Sequence, residues 1–128
     1  MLLFGLSDNS FLDLGMFAPL SELIKLLAPK GVVAVVAHPF RGWGQFKAEL
    51  SQAHGICAVE AYNGHNNGEE NEKAYNAAMS LGLPYTGGSD SHSSEDVGRC
   101  YTEFMDDVAE DALASALKSG RFRGVNTR

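Results

Sequence analysis

The six residues Val32-Val33-Ala34-Val35-Val36-Ala37 are all apolar, and they stop abruptly at His38-Pro39. A run this short, rich in β-branched residues and without polar alternation, fits a strand buried on both faces, as in a parallel sheet covered by helices. Proline has no N–H for a ladder and biases the residue before it towards extended backbone. His38 is therefore expected at the C-terminal end of a central strand, the edge where ligands gather in parallel α/β folds.

The neighbouring segments repeat the pattern. Leu2-Leu3-Phe4 reads as a short strand, followed by a polar, glycine-containing loop to Gly15. Leu20, Leu23, Ile24 and Leu27 fall at i, i+3, i+4 and i+7, a helix that Pro19 opens and Pro29 closes. Phe46, Leu50 and Ala53 suggest a short helix from about Gln45, and Ile56 to Tyr62 a strand. From Gly68 a helix with Glu69 and Glu70 in its first turn ends at Gly82, with Pro84 beyond. Leu83 to Gly87 and Tyr101 to Phe104 read as strands, and Val108 to Leu117 as a helix stopped by Gly120. Strands alternating with helices predict an α/β fold of parallel βαβ units.

A second cluster of chemistry lies at Thr86-Gly87-Gly88-Ser89-Asp90-Ser91-His92. A carboxylate and an imidazole two residues apart, just past a strand, can point into one cleft, and both suit Zn²⁺, Mn²⁺ or Fe²⁺. By itself such a pair is more often a polar turn than a metal site, and His38 by itself is more often a strand-end histidine bonding a carbonyl. Glu60 could orient a ligating histidine or simply bond neighbouring N–H groups. Arg41, after His38-Pro39, could grip a phosphate or form an ion pair; Arg99 is a weaker case of the same. His65, in the turn-rich Asn63-Gly64-His65-Asn66-Asn67, could contact metal or substrate. Trp43 could stack on a ring or pack at a rim, Tyr62 and Tyr101 read as core or rim residues, and His54 as solvated.

Taken together, His38-Pro39, Ala58-Val59-Glu60-Ala61-Tyr62-Asn63, Gly87-Gly88-Ser89-Asp90-Ser91-His92 and Tyr101-Thr102-Glu103-Phe104 resemble the C-terminal half of the PHP (polymerase and histidinol phosphatase) family. The resemblance runs from about Leu2 to Arg123. It implies the C-terminal half of a distorted seven-stranded, TIM-like β/α barrel, with residues 1–128 forming one partial PHP domain. It also implies a hydrolase, a metal-dependent phosphoesterase, with His38, Asp90 and His92 as metal ligands, Arg41 and His65 towards substrate, and Glu60 behind the ligands. The family's N-terminal H-x-H pair has no counterpart here, since His54 and His65 are not so paired. The half is therefore expected to hold Zn, Mn or Fe with an incomplete ligand set and to be inactive alone. The expected substrate is a phosphate-ester small molecule or a nucleotide. Its expected protein partners are the missing N-terminal half or, in isolation, further copies of itself.

Composition agrees with a folded chain: 128 residues, 45% apolar and 20% charged. A net charge of −6 argues against a general nucleic-acid or anionic-membrane surface. No apolar run approaches the ~20 residues of a membrane span. Met1-Leu2-Leu3-Phe4 lacks the basic flank of a secretory signal, and two unpaired-looking cysteines, Cys57 and Cys100, fit reduced thiols in the cytoplasm. Two other classes stay open: a non-catalytic half-barrel used for assembly or small-anion binding, and an unrelated nucleotide-binding α/β protein. The latter ranks last because neither G-x-G-x-x-G nor G-x-x-x-x-G-K-[ST] follows a strand.

Overall fold

The structure is a computed structural model that describes residues 1–9, 12, 19–42 and 55–128. Its elements in chain order are β1 (Leu2–Phe4), α1 (Leu20–Leu27), β2 (Val33–Val36), β3 (Ile56–Asn63), α2 (Gly68–Leu81), β4 (Tyr85–Gly88), β5 (Cys100–Phe104), α3 (Leu113–Ser119) and β6 (Phe122–Asn126). The fold is mixed α/β. A four-stranded sheet runs β1-β2-β3-β4, and β5 with β6 makes a separate two-stranded sheet. Among the described residues these six strands do not close a barrel. The expected helix from Gln45, with Trp43 and His54, lies outside the described residues.

The central strands behave as their composition requires. All four residues of β2 are buried, because both faces of the sheet are covered. On one face Val36, Ile56 and Val59 pack with Ile24 of α1 and Ala78 of α2. On the other, Val33, Val35 and Ala58 meet Leu117 of α3 and Phe122 of β6. Strands β2, β3 and β4 are parallel, with Val35 opposite Ala58 and Glu60 opposite Thr86.

Strand sense is where the parallel expectation needs correction. β1 pairs antiparallel with β2, Leu2 opposite Val35 and Phe4 opposite Val33. β5 and β6 are also antiparallel, although α3 lies between them. A helix between strands does not fix their relative direction when the links are long. Residues 5–19, at ~3.3 Å each, can return the chain to either end of β1. Strand β6 itself was not expected beyond Gly120, yet its alternation is plain: Phe122 and Gly124 are buried and Arg123 is exposed.

Local signals set the helix ends. Asn67 caps α2 by accepting from the Glu70 N–H at 2.9 Å, and Glu70 returns the favour to the Asn67 N–H at 2.9 Å. Gly82, at φ 65°, ends it. Pro29 follows the end of α1 at Leu27, as expected. It sits in a 3-10 turn, Ala28–Lys30, near whose start a missing N–H is harmless, and Gly31 at φ 81° turns the chain out.

The β5–β6 hairpin is fastened to β4 through a side chain. Thr102 Oγ1 donates to the Gly87 carbonyl at 2.8 Å and accepts from the Gly87 N–H at 3.1 Å. One hydroxyl thus satisfies both backbone groups of a residue that leads directly into Asp90.

Candidate functional site

Three parallel strands deliver their C-terminal ends to one edge: β2 leads to His38, β3 ends at Asn63, and β4 leads to Asp90. The ends of β3 and β4 are tied by the Gly64 N–H donating to the Gly88 carbonyl at 2.9 Å. Among the described residues, the two non-glycine residues with positive φ are His38 at 30° and Asp90 at 52°. Aspartate tolerates that region better than histidine does, so His38 carries the greater strain. Strain of this kind persists only where the surroundings hold it.

Glu60 is what holds His38. Its carboxylate is 4% exposed and accepts from the His38 backbone N–H at 2.8 Å and from Asn63 Nδ2 at 3.1 Å. It therefore grips the backbone of the expected ligand, and a carboxylate bonding a neighbouring N–H describes its contact.

Arg41 lies across the mouth. Its Nε donates to Asn66 Oδ1 at 2.9 Å, its Nη2 donates to Asn63 Oδ1, and the same Nη2 stands 2.6 Å from Asp90 Oδ2. That Asp90 oxygen is buried and meets no donor at a hydrogen-bonding angle. Arg41 above all holds the Asp90 carboxyl below its usual range; burial opposes this, while Asn63 and the nearby charge of His38 assist it.

His92 Nδ1 lies 2.8 Å from the Asp90 carbonyl, and its ring meets His65 edge to face, centroids 4.8 Å apart. Both belong to a network centred on Asp96, which sequence reading missed. Asp96 is 6% exposed; its Oδ2 accepts from the backbone N–H groups of His92 at 3.1 Å and Ser93 at 3.0 Å and from Ser93 Oγ at 3.0 Å. The same oxygen lies 3.3 Å from His65 Nε2, and Arg99 Nη1 lies 2.9 Å from Oδ1. The available signal was the Ser93-x-x-Asp96 spacing, a capping box on a single 3-10 turn. Arg99 is thus an ion-pair partner of Asp96.

The His92 N–H, the Ser93 hydroxyl and the Arg99 charge overcome burial and bring the Asp96 pKa down to about 2. A depressed folded-state pKa gives stability that is full above the unfolded value near 3.8 and is lost as pH falls towards about 2. Denaturation midpoints measured between pH 5 and pH 2 are expected to fall more steeply for the wild type than for Asp96→Asn. Equal slopes would remove Asp96 as the source.

Donor chemistry on this edge suits a divalent cation, with imidazoles at His38, His65 and His92 and a buried, incompletely satisfied oxygen on Asp90. Among the described residues, no three His, Cys, Asp or Glu side chains gather closely enough to hold one ion by themselves. The cysteines are not activated: burial pushes both the Cys57 and Cys100 thiols up. Tyr62 packs with Tyr75 and Tyr85 in a three-ring cluster, whereas Tyr101 is 43% exposed.

Among the described residues no helix is long and apolar enough to cross a membrane. No curated protein matches the chain. The fold is similar to the crystal structure of PsfC from Pseudomonas syringae PB-5123, with a TM-score of 0.68 at 23% sequence identity. The match covers 94% of this chain and 52% of that one, so this chain spans about half the length of the structure it matches. At such identity the likeness is one of fold. Residues 68–122 match the family PHP_C, described as PHP-associated. That stretch contains Asp90, His92 and Asp96, while His38, Arg41, Glu60 and His65 precede it. Over that stretch the chain is similar to a PHP-associated region.

Proposed function

We propose that this chain is the C-terminal half of a metal-dependent phosphoesterase whose complete domain is a seven-stranded, TIM-like PHP barrel. In this reading His38, Asp90 and His92 hold divalent cations, Zn, Mn or Fe, and Arg41 and His65 face a phosphate-ester small molecule or nucleotide. The observation that supports it best is the strained backbone at His38 and Asp90, two expected ligands on different strands brought to one edge. Such cations, when bound, lower the pKa of a water and neutralise phosphate oxygens. The chain's own residues do the positioning: Glu60 fixes His38, Asp96 fixes His65 and the His92 backbone, and Asn63 and Asn66 orient the Arg41 fork.

One half supplies too few ligands for the three or four that a tight site needs. The remaining strands would add beside β1, the strand at one end of the four-stranded sheet. In isolation, that edge is expected to meet a second copy. A second reading, a non-catalytic half-barrel for assembly or small-anion binding, is favoured by the Arg41 charge already seated on Asp90.

Titration calorimetry with Mn²⁺ separates the two. Weak binding is expected for the wild type and weaker binding for His92→Ala, with no turnover of p-nitrophenyl phosphate by the chain alone. Identical isotherms would leave His92 without a metal role and favour the second reading.

A further inference from the structure

We infer that Arg41 is a built-in counter-ion of Asp90, which a divalent cation must displace before it can use that carboxylate, and that the displaced guanidinium is then free for an anionic group. The inference rests on the metal-site reading above and deepens it by naming what competes with the ion.

The contact is held by buried partners. Asn63 and Asn66, which orient the guanidinium, are 1% and 2% exposed. Asn63 is locked in turn: its N–H donates to Asn71 Oδ1 at 3.0 Å and its Nδ2 to Glu60 at 3.1 Å. Arg128 Nη2 donates to the carbonyls of Asn63 at 3.2 Å and Asn66 at 3.0 Å, which fixes the loop between them. The planar fork is thus aimed at Asp90 before any ligand arrives.

Asp90 Oδ2 has no hydrogen bond, and the cation it faces is Arg41 at 2.6 Å. A metal ion bound at coordination distance to that oxygen would stand against the guanidinium, and two positive charges in a half-buried cleft repel strongly. Either the ion stays out or Arg41 moves. Moving releases a bidentate donor beside the cation, where a phosphate oxygen pair would be taken up. Cation and anion binding are therefore coupled, and reciprocally so.

The test is Mn²⁺ calorimetry on the full chain and on Arg41→Met, which removes the charge while keeping an extended side chain. Arg41→Met is expected to bind Mn²⁺ about tenfold more tightly than the wild type, a coupling of ordinary size for competing ligands. Adding Asp90→Asn is expected to abolish that gain. Should thermal melting show that Arg41→Met does not fold, Arg41→Gln, neutral but still able to bond the asparagines, carries the same expectation. Measurable wild-type binding with no tightening in the folded variant overturns the inference and leaves the metal site standing. No Mn²⁺ binding by either protein overturns both.

Discussion

Gly124→Ala is expected to unseat the β5–β6 hairpin and lower stability by roughly 3 kcal/mol or more, the range of severe overpacking. A methyl group there would lie 2.5 Å from the Thr86 carbonyl oxygen, 2.6 Å from its carbon and 2.9 Å from the Gly87 nitrogen. All three are backbone atoms of β4, so no side-chain rotation relieves the clash. Gly87 is closed in the same way from β5, since a Cβ on it would enter the Tyr101 carbonyl. The two glycines permit the approach that lets Thr102 satisfy both backbone groups of Gly87. Gly98→Ala is the control: at φ 84° it strains the backbone by ~1–2 kcal/mol, but its Cβ would meet nothing within 4 Å. Urea denaturation of both variants distinguishes crowding from strain, and equal losses would mean that the hairpin is not seated as described. The Gly124 variant should also weaken any Mn²⁺ binding, because β4 carries the chain into Asp90.

What was legible in the sequence is what depends on neighbours in the chain. The apolar run ending at His38-Pro39 and the glycines before Asp90 placed both residues at strand ends, because a proline and a glycine pair act locally; the extended backbone that Pro39 favours at His38 was not found, its φ being 30°. The start of α2 followed from Glu69 and Glu70, and its end from Gly82, all within a turn of the boundary. What was hidden depends on residues far apart. Nothing near Leu2 says that it lies antiparallel to Val35, and nothing near Phe122 says that Gly124 approaches Thr86. Glu60 bonds the His38 N–H and Arg41 bonds Asn63 and Asn66, partners 22 or more residues away that no local reading supplies. Asp96 was passed over because a carboxylate in a polar loop looks solvated until His65, His92, Ser93 and Arg99 are seen around it.

Replacing Glu60 tests whether the strained His38 is held as the geometry implies. Glu60→Ala strips an acceptor from the His38 N–H and from Asn63 Nδ2 and leaves a void under Gly88, whose added Cβ would meet Glu60 Oε1. Two buried donors without partners, together with the cavity, predict a loss of roughly 2–4 kcal/mol. Glu60→Gln keeps the shape and one acceptor oxygen, and that single oxygen can serve both donors as Oε2 now does. Its expected loss is about 1 kcal/mol, the difference between a charged and a neutral acceptor. Removing a negative charge beside His38 and Asp90 should nevertheless weaken Mn²⁺ binding in the glutamine variant, even though its fold survives. Urea denaturation at pH 7 alongside Mn²⁺ calorimetry reads the two effects separately. If Glu60→Ala were as stable as the wild type, the carboxylate would not be what keeps His38 at positive φ. If Glu60→Gln matched the wild type in both measurements, Glu60 would act through its shape alone, and its charge would have no part in the chemistry of this edge.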